Sequence, residues 1–184
     1  MQIRKLLGII SIANISAHSY NSVLSSSLTQ IRMAHKSKGV QYDDNGNVVD
    51  CLFCKIHRRE EPGTITYEDN EFVVFKTKDP MTELHLLVTT RTHIKNIDSL
   101  QGPKDAELVQ RMVDVGQKAL GALSPGAFYC FHVPPLNSID HLHLHCIAKP
   151  ETMTFFGSLK YNTYFARTAE LAMQMLNSQA DRQS

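Results

Sequence analysis

Apolar residues fall into short blocks along the chain, and their spacing predicts the elements. Thr64–Tyr67 and Phe72–Lys76 are β-rich runs flanking the polar Glu68-Asp69-Asn70-Glu71, a hairpin signature. Leu84–Thr89 reads as another strand. Beyond Pro103 the period changes. Leu108, Met112, Val115, Ala119 and Leu123 recur at alternating spacings of four and three, which predicts an amphipathic helix. Pro103 suits its start, and Ser124-Pro125-Gly126 stops it. Ala127–Val133 returns to strand and breaks at Pro134-Pro135, and Ile139–Ala148 is the last strong strand, ended by Pro150. A final helix is expected over Tyr164–Leu176, with Phe165, Ala169, Ala172, Met173 and Leu176 on one side. This order predicts an α+β domain with an antiparallel sheet, one long helix and a C-terminal helix, not alternating βαβ units.

Upstream, the polar, turn-rich Tyr42–Asp50 marks the entry to the domain. Cys51–Ile56 reads as a short turn or helix, and His57–Gly63 as a charged loop. The first 42 residues contain no Asp or Glu but carry Arg4, Lys5, Arg32, Lys36 and Lys38 among many serines. A mitochondrial transit peptide, a secretory signal over Leu6–Ala17, and an extension with an internal start at Met33 all fit that composition. Each leaves 1–42 as a leader and 43–184 as the domain. The expected compartment is intracellular, cytoplasm and nucleus, or the mitochondrion if residues 1–32 are a transit peptide.

The length of 184 residues fits one domain with a real core. Nineteen basic side chains balance 18 acidic ones, which excludes a bulk basic field for nucleic acid but leaves room for one nucleotide phosphate. No apolar run is long enough to span a membrane. Four cysteines are few for a disulfide scaffold of this size, so a reducing compartment is expected. Cys130 and Cys146 lie in apolar stretches and read as small buried hydrophobes.

The chemistry concentrates in Asp140-His141-Leu142-His143-Leu144-His145-Cys146-Ile147. Residues two apart share a strand face, so His141, His143 and His145 are expected in a row, about 7 Å apart, with Leu142, Leu144 and Cys146 turned into the core. An imidazole with an ordinary pKa is largely neutral near pH 7 and attacks phosphorus well, while neighbouring imidazoles set its tautomer and donate to phosphoryl oxygens. A metal site is the rival reading of clustered histidines.

HLHLHCI resembles the alternating signature of the histidine triad (HIT) superfamily, and CLFCKI, PGT, FVVFK, HLLV, the helix ELVQRMVDVGQKAL and FHVPPLNSIDHLHLHCIA follow in that family's order. The likeness runs from about Cys51 through Leu176. It implies hydrolysis of the P–N bond of AMP joined to an amine, through a covalent AMP-histidine intermediate at His143 that water resolves to AMP. By the same resemblance His145 contacts the phosphate, His141 orients the nucleophile, His85 lies near the site and Ser138 approaches the scissile bond. The nucleotide is expected against Thr77, Lys78, His132, Ser138, His143, Leu144 and His145. Thr77 stands where the family usually carries an Asp that holds the ribose hydroxyls, and Asp79 is shifted by two. A hydroxyl is the weaker partner. Arg91-Thr92-His93 replaces the family's Lys-Lys-His.

No cofactor is expected for the chemistry. Cys51 and Cys54, with His93 and His141, resemble the ligand set of a structural zinc site in some family members, and a reduced, buried pair is the alternative. A homodimer is implied by the resemblance; neither nucleic acid nor a membrane is expected as a partner. Two other functions compete. A dinucleoside polyphosphate hydrolase or nucleotidyltransferase of the superfamily carries a distinct residue after the triad, where this chain has Cys146-Ile147. A non-catalytic module would use the same residues to hold nucleotide or zinc for a partner protein. His57 and the aromatics Phe155, Phe156, Tyr161 and Tyr164 are given no chemical role, the aromatics reading as packing or dimer contacts.

Overall fold

The computed structural model describes residues 36–179. The candidate leader up to residue 35, with Met33 and His35, lies outside them.

The described chain opens with a small antiparallel sheet of β1 (Lys36–Ser37), β2 (Val40–Tyr42) and β3 (Val48–Cys51). The composition shift at residue 43 therefore falls inside this sheet, and Val40 is fully buried. Cys51 leads directly into the short helix α1 (Leu52–His57). The main sheet has six strands in the order β4-β5-β6-β8-β7-β9, every neighbouring pair antiparallel. β4 (Ile65–Glu68) and β5 (Phe72–Lys76) form the expected hairpin. Its turn is fixed by the Asp69 carboxylate, which accepts the backbone N–H groups of Glu71 and Phe72. β6 spans His85–Thr90, β7 Phe128–His132, β8 His143–Ile147 and β9 Ala166–Thr168.

Strict alternation gives the sheet two unlike faces. Phe72, Val74, Leu86, Val88, Phe131, Leu144 and Cys146 pack under the long helix α2 (Gly102–Leu120) and the C-terminal helix, labelled α4 below. Val73, Phe75 and Leu87 face the other way, against Val40, Phe53 and Ile56. Gln101 is the N-cap of α2, with Pro103 in the first turn as expected, but the helix buries Ala106, Leu108, Val109, Met112, Val113, Gly116 and Leu120. Val115 and Ala119 only flank the core, and Leu123 lies beyond the helix end. The stripe is rotated because Gly116 lets the helix approach the sheet. A Cβ there would stand 2.5 Å from the Cys146 Sγ.

Two segments depart from the pattern. The predicted helix over Tyr164–Leu176 divides: Ala166–Thr168 adds strand β9 to the edge of β7, and α4 is Ala169–Asn177. The Thr168 hydroxyl accepts the Leu171 N–H and so sets the helix start. A further short helix, α3 (Phe155–Lys160), sits in what the pattern left as connection. Among the described residues no helix is long and apolar enough to cross a membrane.

Candidate active site and cysteine–histidine cluster

Register brings the imidazoles together. β6 pairs with β8 so that Thr89 faces His143, Leu87 faces His145 and His85 faces Ile147. On the other flank Cys130 of β7 faces His145. Continuing that register by two residues sets His132 level with His143 on the same face. His85, His132, His143 and His145 are all buried, each no more than 6 % exposed. The His143 and His145 ring centroids are 5.0 Å apart, and His132 lies 4.6 Å from His145. The rings lean closer than strand rise alone predicts.

Hydrogen bonds assign the tautomers. His143 Nδ1–H donates to the His141 carbonyl at 2.5 Å. Its Nε2 keeps a lone pair, and no partner holds that atom among the described residues. The Met81 N–H donates to His85 Nδ1 at 3.3 Å, so the neutral His85 ring carries its proton on Nε2 and donates to His145 Nδ1 at 2.9 Å. Tyr161 Oη, 3.3 Å from the same nitrogen, supports that assignment as a second donor. His145 Nε2 then bears a hydrogen, is buried and has no partner. One unprotonated nitrogen and one N–H donor therefore stand on adjacent rings, the pairing needed to attack phosphorus and hold its oxygen.

His141 departs from the expected row. It precedes β8, which starts at His143. Its Nε2–H donates to the Thr90 carbonyl at 2.8 Å, and its Nδ1 lies 3.3 Å from Cys51 Sγ and 3.5 Å from Cys54 Sγ. His93 Nδ1 is 3.7 Å from Cys54 Sγ, and His93 Nε2 faces Tyr42 Oη at 3.4 Å. The four donor atoms lie within 4.8 Å of one another. His141 therefore touches the row of His143 and His145 with its carbonyl, while its ring belongs to a second cluster.

Burial governs protonation in the first group, and shared hydrogen bonds govern it in the second. Desolvation lowers His143, His85 and His132 to about 4, with Lys160 adding to the effect at His85 and His132. Desolvation, reinforced by the surrounding imidazoles and Lys160, holds His145 well below the ordinary value. At neutral pH these rings are uncharged. In the second cluster, hydrogen bonds from Cys54 and then from His141 hold the Cys51 thiol well below its usual range, while sharing with Cys51 pushes Cys54 up. Burial raises both Cys130 and Cys146, which are inert core thiols.

The remaining sequence candidates scatter. Leu144 is fully buried in the helix-side core, so only its backbone faces a ligand. Ser138 is exposed in the turn before the triad, and no hydrogen bond ties it to the rings among the described residues. β5 ends at Lys76; Thr77 is half-buried and its N–H donates to the His85 carbonyl, while Lys78 and Asp79 are exposed in the following turn. Asp79 therefore does not continue the strand face. Three site-side residues carried no usable sequence signal. Tyr161 packs 5.3 Å from His145 and 4.7 Å from His132. Lys160 precedes it, and His57 donates to Thr89 Oγ1 at 2.8 Å beside the His141 ring. All three depend on long-range packing that no local motif encodes.

Comparison with known proteins places this arrangement. Residues 50–161 match the family model described as scavenger mRNA decapping enzyme C-term binding. The adenosine 5′-monophosphoramidase HINT3 of Mus musculus is 34 % identical over 149 residues, 76 % of this chain and 86 % of that protein. The bifunctional adenosine 5′-phosphosulfate phosphorylase/adenylylsulfatase HINT4 of Arabidopsis thaliana is 38 % identical over 103 residues, 54 % of this chain and 70 % of that protein. Among solved structures, a HIT family hydrolase from Legionella pneumophila is 29 % identical with a TM-score of 0.50, covering 57 % of this chain and 96 % of its own. One from Clostridium thermocellum shares the fold at 23 % identity and a TM-score of 0.52, covering 59 % of this chain and 97 % of its own. With three alternating histidines, the shared sheet and a family model spanning most of the described residues, the chain belongs to the histidine triad family of hydrolases.

Proposed function

We propose that the protein hydrolyses adenosine 5′-monophosphoramidates, with His143 Nε2 as the nucleophile. The observation that carries this reading is the His143 tautomer: Nδ1–H is anchored on the His141 carbonyl and the lone pair is left on Nε2. Attack forms an N–P bond and breaks the bond to the amine. The anchored carbonyl then faces a ring that has become cationic. His145 Nε2–H donates to a phosphoryl oxygen, kept in register by His85 and Tyr161. Ser138 is assigned as donor to the leaving nitrogen, and Thr77, Lys78, His132 and the Leu144 backbone to the nucleotide. Water then releases AMP and restores the imidazole.

The test is turnover of a fluorogenic adenosine phosphoramidate by the wild type and by His143→Ala. Hydrolysis lost in the variant, with AMP binding kept, is the expected result. Turnover by His143→Ala at the wild-type rate overturns the mechanism. AMP binding without turnover by either protein favours a binding module. A second substrate class, AMP joined to an anion such as sulfate, is favoured by Lys160, whose charge acts on His85, His132 and His145. Adenosine 5′-phosphosulfate, assayed beside the phosphoramidate, separates the two.

We also assign Cys51, Cys54, His93 and His141 as ligands of a structural zinc. Ligands about 2.3 Å (sulfur) and 2.0–2.1 Å (nitrogen) from a tetrahedral zinc stand about 3.3–3.8 Å from one another. The sulfur–nitrogen distances of 3.3, 3.5 and 3.7 Å fit that tetrahedron. Both imidazoles turn Nδ1 inward and give Nε2 to an outer oxygen, as ligating histidines do when an outer partner holds the ring in place. Four protein ligands close the site, so such a zinc holds the fold together and takes no substrate. The assembly we infer is a homodimer, checked by light scattering.

A further inference from the structure

We propose that Lys38 is a positioning residue for the departing amine: tethered to Pro135, it holds the loop on which Ser138 meets the leaving nitrogen, and so suits the site to strongly basic alkylamines. The proposal rests on the phosphoramidase reading and on the place given there to Ser138.

The turn between β1 and β2 is made at a cost. Ser37 pairs with Val40, which leaves Lys38 and Gly39 as a two-residue hairpin loop. Both have positive φ, 32° at Lys38 and 74° at Gly39. That is the type I′ geometry, which Asn-Gly or Gly-Gly meets without strain and lysine does not. What Lys38 reaches accounts for its place. Its Nζ donates to the Pro135 carbonyl. Its own carbonyl accepts the Asp140 N–H at 3.4 Å. Gly39 lies against Ile139, where a Cβ would stand 2.6 Å from Ile139 Cδ1. The Gly39 carbonyl accepts the Leu52 N–H at 3.1 Å, which ties the turn to the first residue of α1.

These contacts bracket one residue. The turn holds Pro135, Ile139 and Asp140. Asn137, 3 % exposed, donates to the Ile139 carbonyl at 3.2 Å and to Asp140 Oδ1 at 2.7 Å. Tyr42 Oη donates to the Asp140 carbonyl at 3.4 Å. Ser138 stands among them and is exposed. From Asp140 the backbone reaches His143 through Leu142, whose N–H donates to the Ile94 carbonyl at 2.7 Å. Ser138 and His143 therefore ride on one braced stretch of backbone, and Lys38 pins its near end.

An alkylamine departs poorly unless its nitrogen gains a proton as the P–N bond breaks. In that step His143 Nε2 bonds to phosphorus, and the P–N bond breaks with its electron pair on nitrogen. Ser138 gives the nitrogen its hydroxyl proton, and solvent at this exposed residue restores it. The water that later releases AMP returns a proton to solvent. Such help requires hydrogen-bond reach, so a loop that drifts by an ångström loses it while attack on phosphorus continues. A group that leaves as a stable anion needs no proton and is indifferent to the loop.

Lys38→Asn is the test, because Asn-Gly suits the turn and only the side-chain tether is lost. kcat/KM is measured on AMP joined to an alkylamine and on the p-nitrophenyl ester of AMP, whose phenolate leaves unprotonated. The variant should lose about ten- to a hundredfold on the phosphoramidate and stay within about twofold on the ester, with a melting temperature no lower than wild type. Lys38→Arg, which keeps a donor of similar reach, should recover most of the phosphoramidate rate. Adding Lys38→Asn to Ser138→Ala should cost nothing further on the phosphoramidate, since both act on one proton. Equal losses on both substrates, no loss on either, or losses that multiply in the double variant overturn the positioning role. A wild type that leaves the phosphoramidate intact overturns the phosphoramidase reading itself, and that result is read before any variant is compared.

Discussion

Two clusters of histidines lie a few ångströms apart here, and they are built on opposite rules. In the cluster of His93 and His141 with Cys51 and Cys54, each ring nitrogen meets a sulfur or an oxygen of the protein. In the cluster of His85, His132, His143 and His145, Nε2 of His132 and of His145 is buried without a partner, and His143 Nε2 carries only its lone pair. A closed set resists change and holds the chain. An open set stores unmet valences for a ligand, at a cost in stability that a packed protein otherwise avoids. The His141 carbonyl joins them, so the closed cluster fixes the His143 ring of the open one.

The comparison breaks first at activity. His143→Ala should lower kcat/KM on an adenosine phosphoramidate by at least about a thousandfold, while its melting temperature stays close to wild type. His141→Ala should do the reverse in emphasis, with stability falling by about 3 kcal/mol or more in urea titrations, since a fully buried ring and a proposed zinc ligand are lost together. If the two variants melt alike, the division into open and closed clusters fails. Metal analysis of Cys54→Ser sharpens the same point: zinc near one equivalent in the wild type should fall well below it in the variant.

A pH series separates the clusters next. His57, His85, His132 and His143 are lowered to about 4 by burial, from an ordinary 6.5. Between those values the unfolded chain binds more protons than the folded one, so stability rises with pH through that window. It is complete above about pH 6.5 and declines as the pH falls toward about 4. Urea midpoints that stay flat from pH 7 to 4 would show these rings to be solvated. The smallest expected effect is that of Tyr161→Phe. It keeps the ring stacked on His132 and removes one hydroxyl beside His145, so kcat should fall by about three- to tenfold, one hydrogen bond's worth, with KM nearly unchanged.

Much of the fold was legible because period reports burial. The β4–β5 hairpin, the strands through His85, Phe128 and His143, and the long helix all appear in the residue pattern. β9 was not legible. Three residues beside a helix carry no period of their own, and only pairing with β7 makes Ala166–Thr168 a strand. The buried stripe of α2 is turned by part of a turn from the one its period predicts, because the contact at Gly116 depends on the sheet beneath it.

The sequence by itself determined the chemistry available: alternating histidines that resemble the triad, a Cys-x-x-Cys pair, and apolar residues between them that turn inward. Alternation is local, so it survives in the linear pattern. Tertiary structure decided how those groups are divided. It drew the His141 ring out of the row toward Cys51 and Cys54, brought His85 and His132 from flanking strands beside His145, and set Tyr161 from the C-terminal segment against both. Those contacts join residues 13 to 90 positions apart. Strand register and helix docking fix them, and neither is written in the neighbourhood of any one residue.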